Sequence, residues 1–150
     1  MREIRTETII EAPASKVWEE LMDFPAYPSW NPFIKSIQGK AELNSRLEIL
    51  IKPVGGNPVT FKPRCVRFDP PHEFRWLGHL LIRGIFDGEH IFELKSASPN
   101  QTHLIHREEF RGLLVPIFWR SLKEGTLLGF ELMNEALRAR CEGRSLDEEE

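Results

Sequence analysis

Alternation dominates the first residues of the chain. Ile4, Thr6, Thr8 and Ile10 fall on one parity, while Glu3, Arg5, Glu7 and Glu11 occupy the other, which is the pattern of a strand with one face against a core. The spacing then changes. Val17, Trp18, Leu21 and Met22 form a helical apolar stripe, with Pro13 suited to its first turn and Asp23 and Pro25 ending it. From Gly39 to Asn100, turn signals at 39–40, 44–45, 55–58, 69–71, 78, 84 and 98–100 divide a series of alternating segments.

These segments predict an antiparallel meander whose inward face carries Leu47, Ile49 and Ile51, then Phe74 and Trp76, then Phe92 and Leu94, then Leu104 and Phe110. Parity switches between Val59/Phe61 and Val66/Phe68, so Val59 to Phe68 is expected as one strand with a bulge near Pro63. A glycine bulge is expected at Gly88, within a strand from Ile85 to Leu94. The last element is a helix from about Pro116 to Arg140, with Phe118, Leu122, Gly125, Gly129, Leu132, Met133, Ala136 and Leu137 on one stripe. A one-sided sheet and a one-sided helix bury each other, which predicts an α+β helix-grip arrangement.

Length places this in one domain, residues 1–143, followed by an acidic tail, 144–150, expected to fray. Twenty basic residues stand against 23 acidic ones. Four of the acids lie in the terminal run 147–150, leaving 20 against 19. A body so balanced lacks the basic clustering that nucleic acid demands. MREIRTETII has no apolar signal-peptide core, and no later segment is long enough to span a bilayer. The expectation is a cytoplasmic protein without stable membrane insertion, a monomer or weak homodimer, with Cys65 and Cys141 reduced. Two cysteines without a histidine pair also argue against a zinc site.

Three stretches carry a resemblance: IIEAPASKVWEELMDFPAYPSWNPFI near the start, FDGEHIFEL followed by HREEFRGLL in the late strands, and the closing amphipathic helix. Together they resemble the START-like polyketide cyclase/dehydrase and lipid-transport superfamily (SRPBCC) over about residues 3 to 142. That resemblance implies a sheet of about seven antiparallel strands around the C-terminal helix, two short helices after the first strand, and a cavity for apolar or amphipathic small molecules. It does not choose among carriers, receptors, cyclases and co-chaperones. The extra polar or metal-binding residues of the best-known enzymatic members have no match here, and no cofactor or metal is expected.

Candidate contacts follow from the inward faces. In PSWNPF the prolines fix φ, so Trp30 and Phe33 can aim into the space between sheet and helix, either completing a core or touching a ligand. Gly125 and Gly129 mark close packing or open volume on the helix. Ile49, Trp76, Phe92, Phe110, Phe118 and Leu122 supply apolar wall. His90, His106 and Glu108 share the inward parity of the last two strands, and a hairpin turn at 98–100 sets His90 opposite or diagonal to Glu108. Such groups form a satisfied internal network, hold a ligand's polar end, or act as acid and base. His103 and His106 point to opposite faces and cannot chelate together. Arg64, Arg67, Arg75, Arg107 and Glu109 read as the solvated face. Connections 53–58, 79–84 and 111–116, with Phe118 and Trp119, are expected to form the entrance. The expected function is binding or carrying a hydrophobic small molecule such as a lipid, isoprenoid or aromatic polyketide-like compound. The alternative is a cyclase, dehydratase or hydrolase using His90 and Glu108.

Overall fold

The computed structural model describes residues 1–80 and 82–143, so the acidic tail at 144–150 lies outside the described residues. Strand β1 (Arg2–Ile10) turns Ile4, Thr6 and Ile10 inward, as its alternation requires. Helix α1 (Ala14–Met22) follows, with Pro13 in extended conformation just before its first turn and Val17 and Leu21 buried. A 3-10 turn (Phe24–Ala26) leads into the short helix α2 (Tyr27–Trp30). The Tyr27 hydroxyl ties this turn back by donating to the Leu21 carbonyl at 2.6 Å. Beyond α2, the Asn31 side-chain oxygen accepts from the backbone N–H groups of Phe33 and Ile34 at 3.0 and 2.9 Å. This asparagine turn, together with the prolines, aims Phe33 inward.

Strands β2 (Ile34–Gln38), β3 (Glu48–Ile51) and β4 (Val59–Phe61) form a three-stranded sheet in that order. Strands β5 (Arg64–Asp69), β6 (Glu73–Leu80), β7 (Phe86–Ser98) and β8 (Gln101–Arg111) join β1 in a five-stranded sheet ordered β1-β8-β7-β6-β5, and every pairing is antiparallel. The two sheets are stitched together where residues 44–47 run beside β5. The Leu47 N–H donates to the Pro63 carbonyl at 2.8 Å, and the Cys65 N–H donates to Ser45 at 2.9 Å.

The described strands therefore number eight rather than about seven. The expected single strand from Val59 to Phe68 is two, β4 and β5, in different sheets. Pro63 cannot donate to a ladder, so the strand breaks there, while the register shift falls between Cys65 and Arg67. The expected bulge at Gly88 is also corrected: Gly88 pairs in register with Gly78 on one side and Phe110 on the other. The irregularity in β7 lies between Ser96 and Ser98 instead.

Helix α3 (Val115–Cys141) closes the fold. Phe130, Met133 and Leu137 are fully buried, joined by Thr126, Gly129 and Asn134. The expected stripe is partly corrected, because Phe118 and Leu132 are 47% and 49% exposed. After Val115, which is buried at the helix start, deep burial resumes only at Thr126, and the intervening Ile117 and Phe118 face outward. Cys65 and Cys141 are free, buried thiols. Among the described residues, no helix is long and apolar enough to cross a membrane.

The outer face of the large sheet carries cross-strand ion pairs. Arg107 reaches Glu93 and Glu109 at 2.8 Å and Glu3 at 3.0 Å, while Arg75 bonds to Glu73 at 3.0 Å and Glu89 at 3.2 Å. The alternation of charged and apolar residues is thus a charged lattice on one side and core on the other.

Candidate functional site

A cavity of about 180 Å³ separates the large sheet from the first half of α3. Its origin is visible in the register. Gly78 of β6 and Gly88 of β7 are direct cross-strand partners, and both lie on the cavity wall. They follow the inward parity of Phe74 and Trp76 on one strand and of His90 and Phe92 on the other. Two side chains are thus missing where the sheet faces the helix. A Cβ at Gly78 would meet only Pro63, at 3.5 Å, and one at Gly88 would come within 2.7 Å of a Glu108 carboxyl oxygen.

Phe33, Trp76, Phe110 and Leu122 complete the wall with Ile51 and Phe61. Glu108 is the carboxyl among the lining residues, which include no Lys or Arg. Of the residues expected from sequence, Phe33, Trp76, Glu108, Phe110 and Leu122 thus come together on one surface. The remainder lie off it. Trp30 is half-buried against Tyr27, with centroids 5.1 Å apart, and beneath the Arg140 guanidinium. Ile49, Phe92, His90 and His106 are sealed in the core, and Phe118 is on the outside. Gly125 and Gly129 resolve as close packing: added Cβ atoms would stand 3.0 Å from the Val54 carbonyl oxygen and 2.2 Å from the Phe33 ring. Gly78, Gly88 and Thr126 escaped sequence reading as wall residues. The two glycines carried a readable signal, since both occupy inward strand parity.

Behind Glu108 runs a buried polar chain. His90 and Glu108 are direct cross-strand partners, with His90 Nδ1 3.6 Å from Glu108 Oε1. His90 Nε2 is 2.7 Å from His106 Nε2, and His106 Nδ1 is 2.8 Å from Asn134 Oδ1. The Asn134 amide donates to Thr6 Oγ1 at 2.8 Å, and the Thr6 hydroxyl donates to the His106 carbonyl at 2.8 Å.

Aromatic packing isolates the imidazoles from water. His106 stacks on Phe130 at 4.0 Å and Phe92 at 4.4 Å, and His90 stacks on Trp76 at 4.5 Å. Burial lowers the His106 pKa to about 3, and burial aided by His106 drives that of His90 well below its ordinary value. Both rings are neutral near pH 7. The Glu108 carboxyl moves the other way, raised to about 8 by burial. It is therefore mostly protonated at pH 7 and opens onto the cavity.

Two of the expected entrance connections are joined through their backbones. The N–H groups of Leu113 and Leu114 donate to Gly84 and Ile85 at 3.2 and 3.0 Å. Gly112, at φ +133°, approaches so closely that a Cβ would lie 2.4 Å from the Ile85 carbonyl oxygen. These backbone bonds link the two connections at residues 84–85 and 113–114. Pro53, from the third expected connection, and His79 and Leu80 also border the cavity. His79 is itself engaged with Asp87 at 2.7 Å. Among the described residues, no group of three or more His, Cys, Asp or Glu is arranged to hold a metal ion.

Comparison with known proteins gives a family match across nearly the whole chain. The family model described as polyketide cyclase/dehydrase and lipid transport matches residues 1–142. A START superfamily protein from Mycobacterium smegmatis has the same fold, with TM-score 0.75 and 22% identity, covering 94% of this chain and 97% of that one. The Zhui aromatase/cyclase of Streptomyces gives TM-score 0.76 at 17% identity, covering 94% and 93%. A Penicillium oxalicum protein named oxopyrrolidines biosynthesis cluster protein O is 31% identical over 85 residues, an alignment covering 44% of this chain. The match spans 41% of that curated relative, less than half its length.

Proposed function

This chain belongs to the polyketide cyclase/dehydrase and lipid transport family, and from that premise we propose that it binds or carries a hydrophobic small molecule in the cavity between sheet and α3. The observation that carries the reading is the paired absence of side chains at Gly78 and Gly88, which leaves apolar space beside a lone inward carboxyl. A cavity of about 180 Å³ suits a one-ring compound in its present shape, since an apolar cavity of roughly 150 Å³ accepts benzene. Larger guests, such as isoprenoids or polyketide-like compounds, require the linked entrance loops to give way. Burying about 150–250 Å² of an aromatic guest at about 25 cal/mol per Å² supplies roughly 4–6 kcal/mol before the costs of association. Binding thus needs no reacting group.

Native mass spectrometry of gently purified protein tests this reading. A released apolar compound, lost when Gly78→Val fills the cavity, supports it. Equal retention by the filled variant sinks it.

One observation favours a second reading, an acid catalyst of cyclase or dehydratase type. Glu108 holds a proton at the cavity wall near pH 7, the state a general acid requires. The expected His90–Glu108 acid–base pair changes accordingly: His90 is sealed behind the wall, so Glu108 alone would meet a substrate, with His90 behind it. Loss of turnover with retained binding in Glu108→Gln separates this reading from the first.

A further inference from the structure

The buried chain behind Glu108 has a direction, and the direction can be read from its far end. Thr6 has one hydroxyl proton and gives it to the His106 carbonyl, which can only accept. Thr6 Oγ1 therefore accepts from the Asn134 amide nitrogen, and this leaves Asn134 Oδ1 as acceptor toward His106. His106 carries its proton on Nδ1, so its Nε2 lone pair faces His90. His90 must then donate from Nε2, and its Nδ1 lone pair is turned toward Glu108.

A carboxylate there would face a lone pair across 3.6 Å, with no Lys or Arg among the described wall residues and with the wall's His79 already engaged by Asp87. A protonated Glu108 has a matched partner instead. Its O–H closes on His90 Nδ1 by a small swing, because its other side borders open cavity. The second carboxyl oxygen is then left toward the guest as an acceptor.

We infer that Thr6 and Asn134 act as positioning residues that set the two histidine tautomers, making Glu108 a neutral hydrogen-bond acceptor, and that the cavity selects neutral one-ring compounds bearing a hydroxyl or N–H donor. Carboxylate and phosphate guests are disfavoured, because the described wall residues include no Lys or Arg and the wall's His79 is already engaged by the Asp87 carboxylate. Ammonium guests are disfavoured because they would demand a carboxylate beside the His90 lone pair. This rests on the cavity being a small-molecule site, as proposed above.

The test is a calorimetric titration with phenol, anisole, toluene, benzoate and benzylamine, alongside long-range ¹H–¹⁵N NMR of the imidazoles. Phenol is expected to bind about tenfold tighter than anisole or toluene, the effect of one buried hydrogen bond. Benzoate and benzylamine are expected to bind more weakly than phenol. Glu108→Gln should keep the phenol preference, because its amide can donate to His90 while its carbonyl still accepts. Glu108→Met and the near-isosteric Thr6→Val should reduce it. The spectra should show His106 protonated at Nδ1 and His90 at Nε2.

Equal binding of phenol, anisole and toluene overturns the donor selectivity while leaving the cavity reading intact. Absence of binding by all five probes overturns both. Tighter binding of benzoate or benzylamine than of phenol, or the opposite tautomers in the folded wild type, overturns the inference directly.

Discussion

Replacing Glu108 by Gln tests the charge state of the cavity through stability alone, with no ligand required. The carboxyl has an ordinary value of 4.5 and is raised to about 8 in the folded protein by burial. A group with a raised folded pKa contributes stability that is complete below its unfolded value and lost as pH climbs through its folded value. The Glu108 contribution to wild-type stability should therefore fall between about pH 4.5 and pH 8, with a slope approaching ~1.4 kcal/mol per pH unit. Across the interval this amounts to at most ~5 kcal/mol, an upper bound because water can enter the cavity beside the ionised carboxylate. His90 and His106 tilt the curve oppositely. Their lowered pKa values leave the folded state short of protons below the imidazole's ordinary 6.5, so stability falls as acid is added. Superposing the three groups gives wild type a maximum near pH 6.5, with an acid limb from the histidines and an alkaline limb from Glu108. Urea unfolding followed by tryptophan fluorescence at pH 5, 6, 7 and 8 should show the Gln variant keeping the first limb and losing the second. The difference between the proteins must grow with pH. A constant offset would refute the burial argument, because altered packing of an amide does not depend on proton concentration.

Gly78→Val should eliminate binding of small apolar probes in calorimetry while leaving urea stability within about 1 kcal/mol of wild type, since a β-branched residue suits a strand and enters open space. Gly129→Ala should fail to deliver the usual helix gain of ~1 kcal/mol. Its Cβ would stand 2.2 Å from the Phe33 ring, and overpacking costs about 1–3 kcal/mol, so equilibrium unfolding should show a net loss and probe affinity should fall as Phe33 shifts. Arg107→Met should destabilise by about 1–3 kcal/mol, because it leaves Glu3, Glu93 and Glu109 crowded without their shared guanidinium. Adding salt should narrow that deficit, which thermal melts at two ionic strengths would measure.

Much of the fold was legible because strand alternation and helical periodicity arise directly from one-sided burial. Ile4, Thr6 and Ile10 point inward as their parity requires, and the hairpin at 98–100 sets His90 directly opposite Glu108. Failures occurred where tertiary context decided between local patterns. Pro63 signalled an interruption, but only the pairing of residues 44–47 with β5 reveals that the chain changes sheet there. On α3, Phe118 and Leu132 look no less apolar than Phe130 and Met133. Which of them face inward depends on the roll of the helix over the sheet, and sequence spacing leaves that roll free.

The site shows a related asymmetry between what a side chain announces and what its absence allows. His90, His106 and Glu108 stood out because polar residues on an apolar face demand an explanation. Yet two of the three are enclosed by rings, and only Glu108 reaches open space. That space comes from Gly78 and Gly88, whose meaning emerges only when antiparallel register makes them partners. Enlarging Gly88 puts a Cβ 2.7 Å from a Glu108 carboxyl oxygen and so narrows the volume into which that carboxyl projects. Cavity size and carboxyl freedom are therefore coupled variables. A substitution at Gly88 that admits less guest also crowds the acid, so affinity and the alkaline stability limb should change together in Gly88 variants. At Gly78, whose added Cβ meets only Pro63, affinity should change while the limb remains.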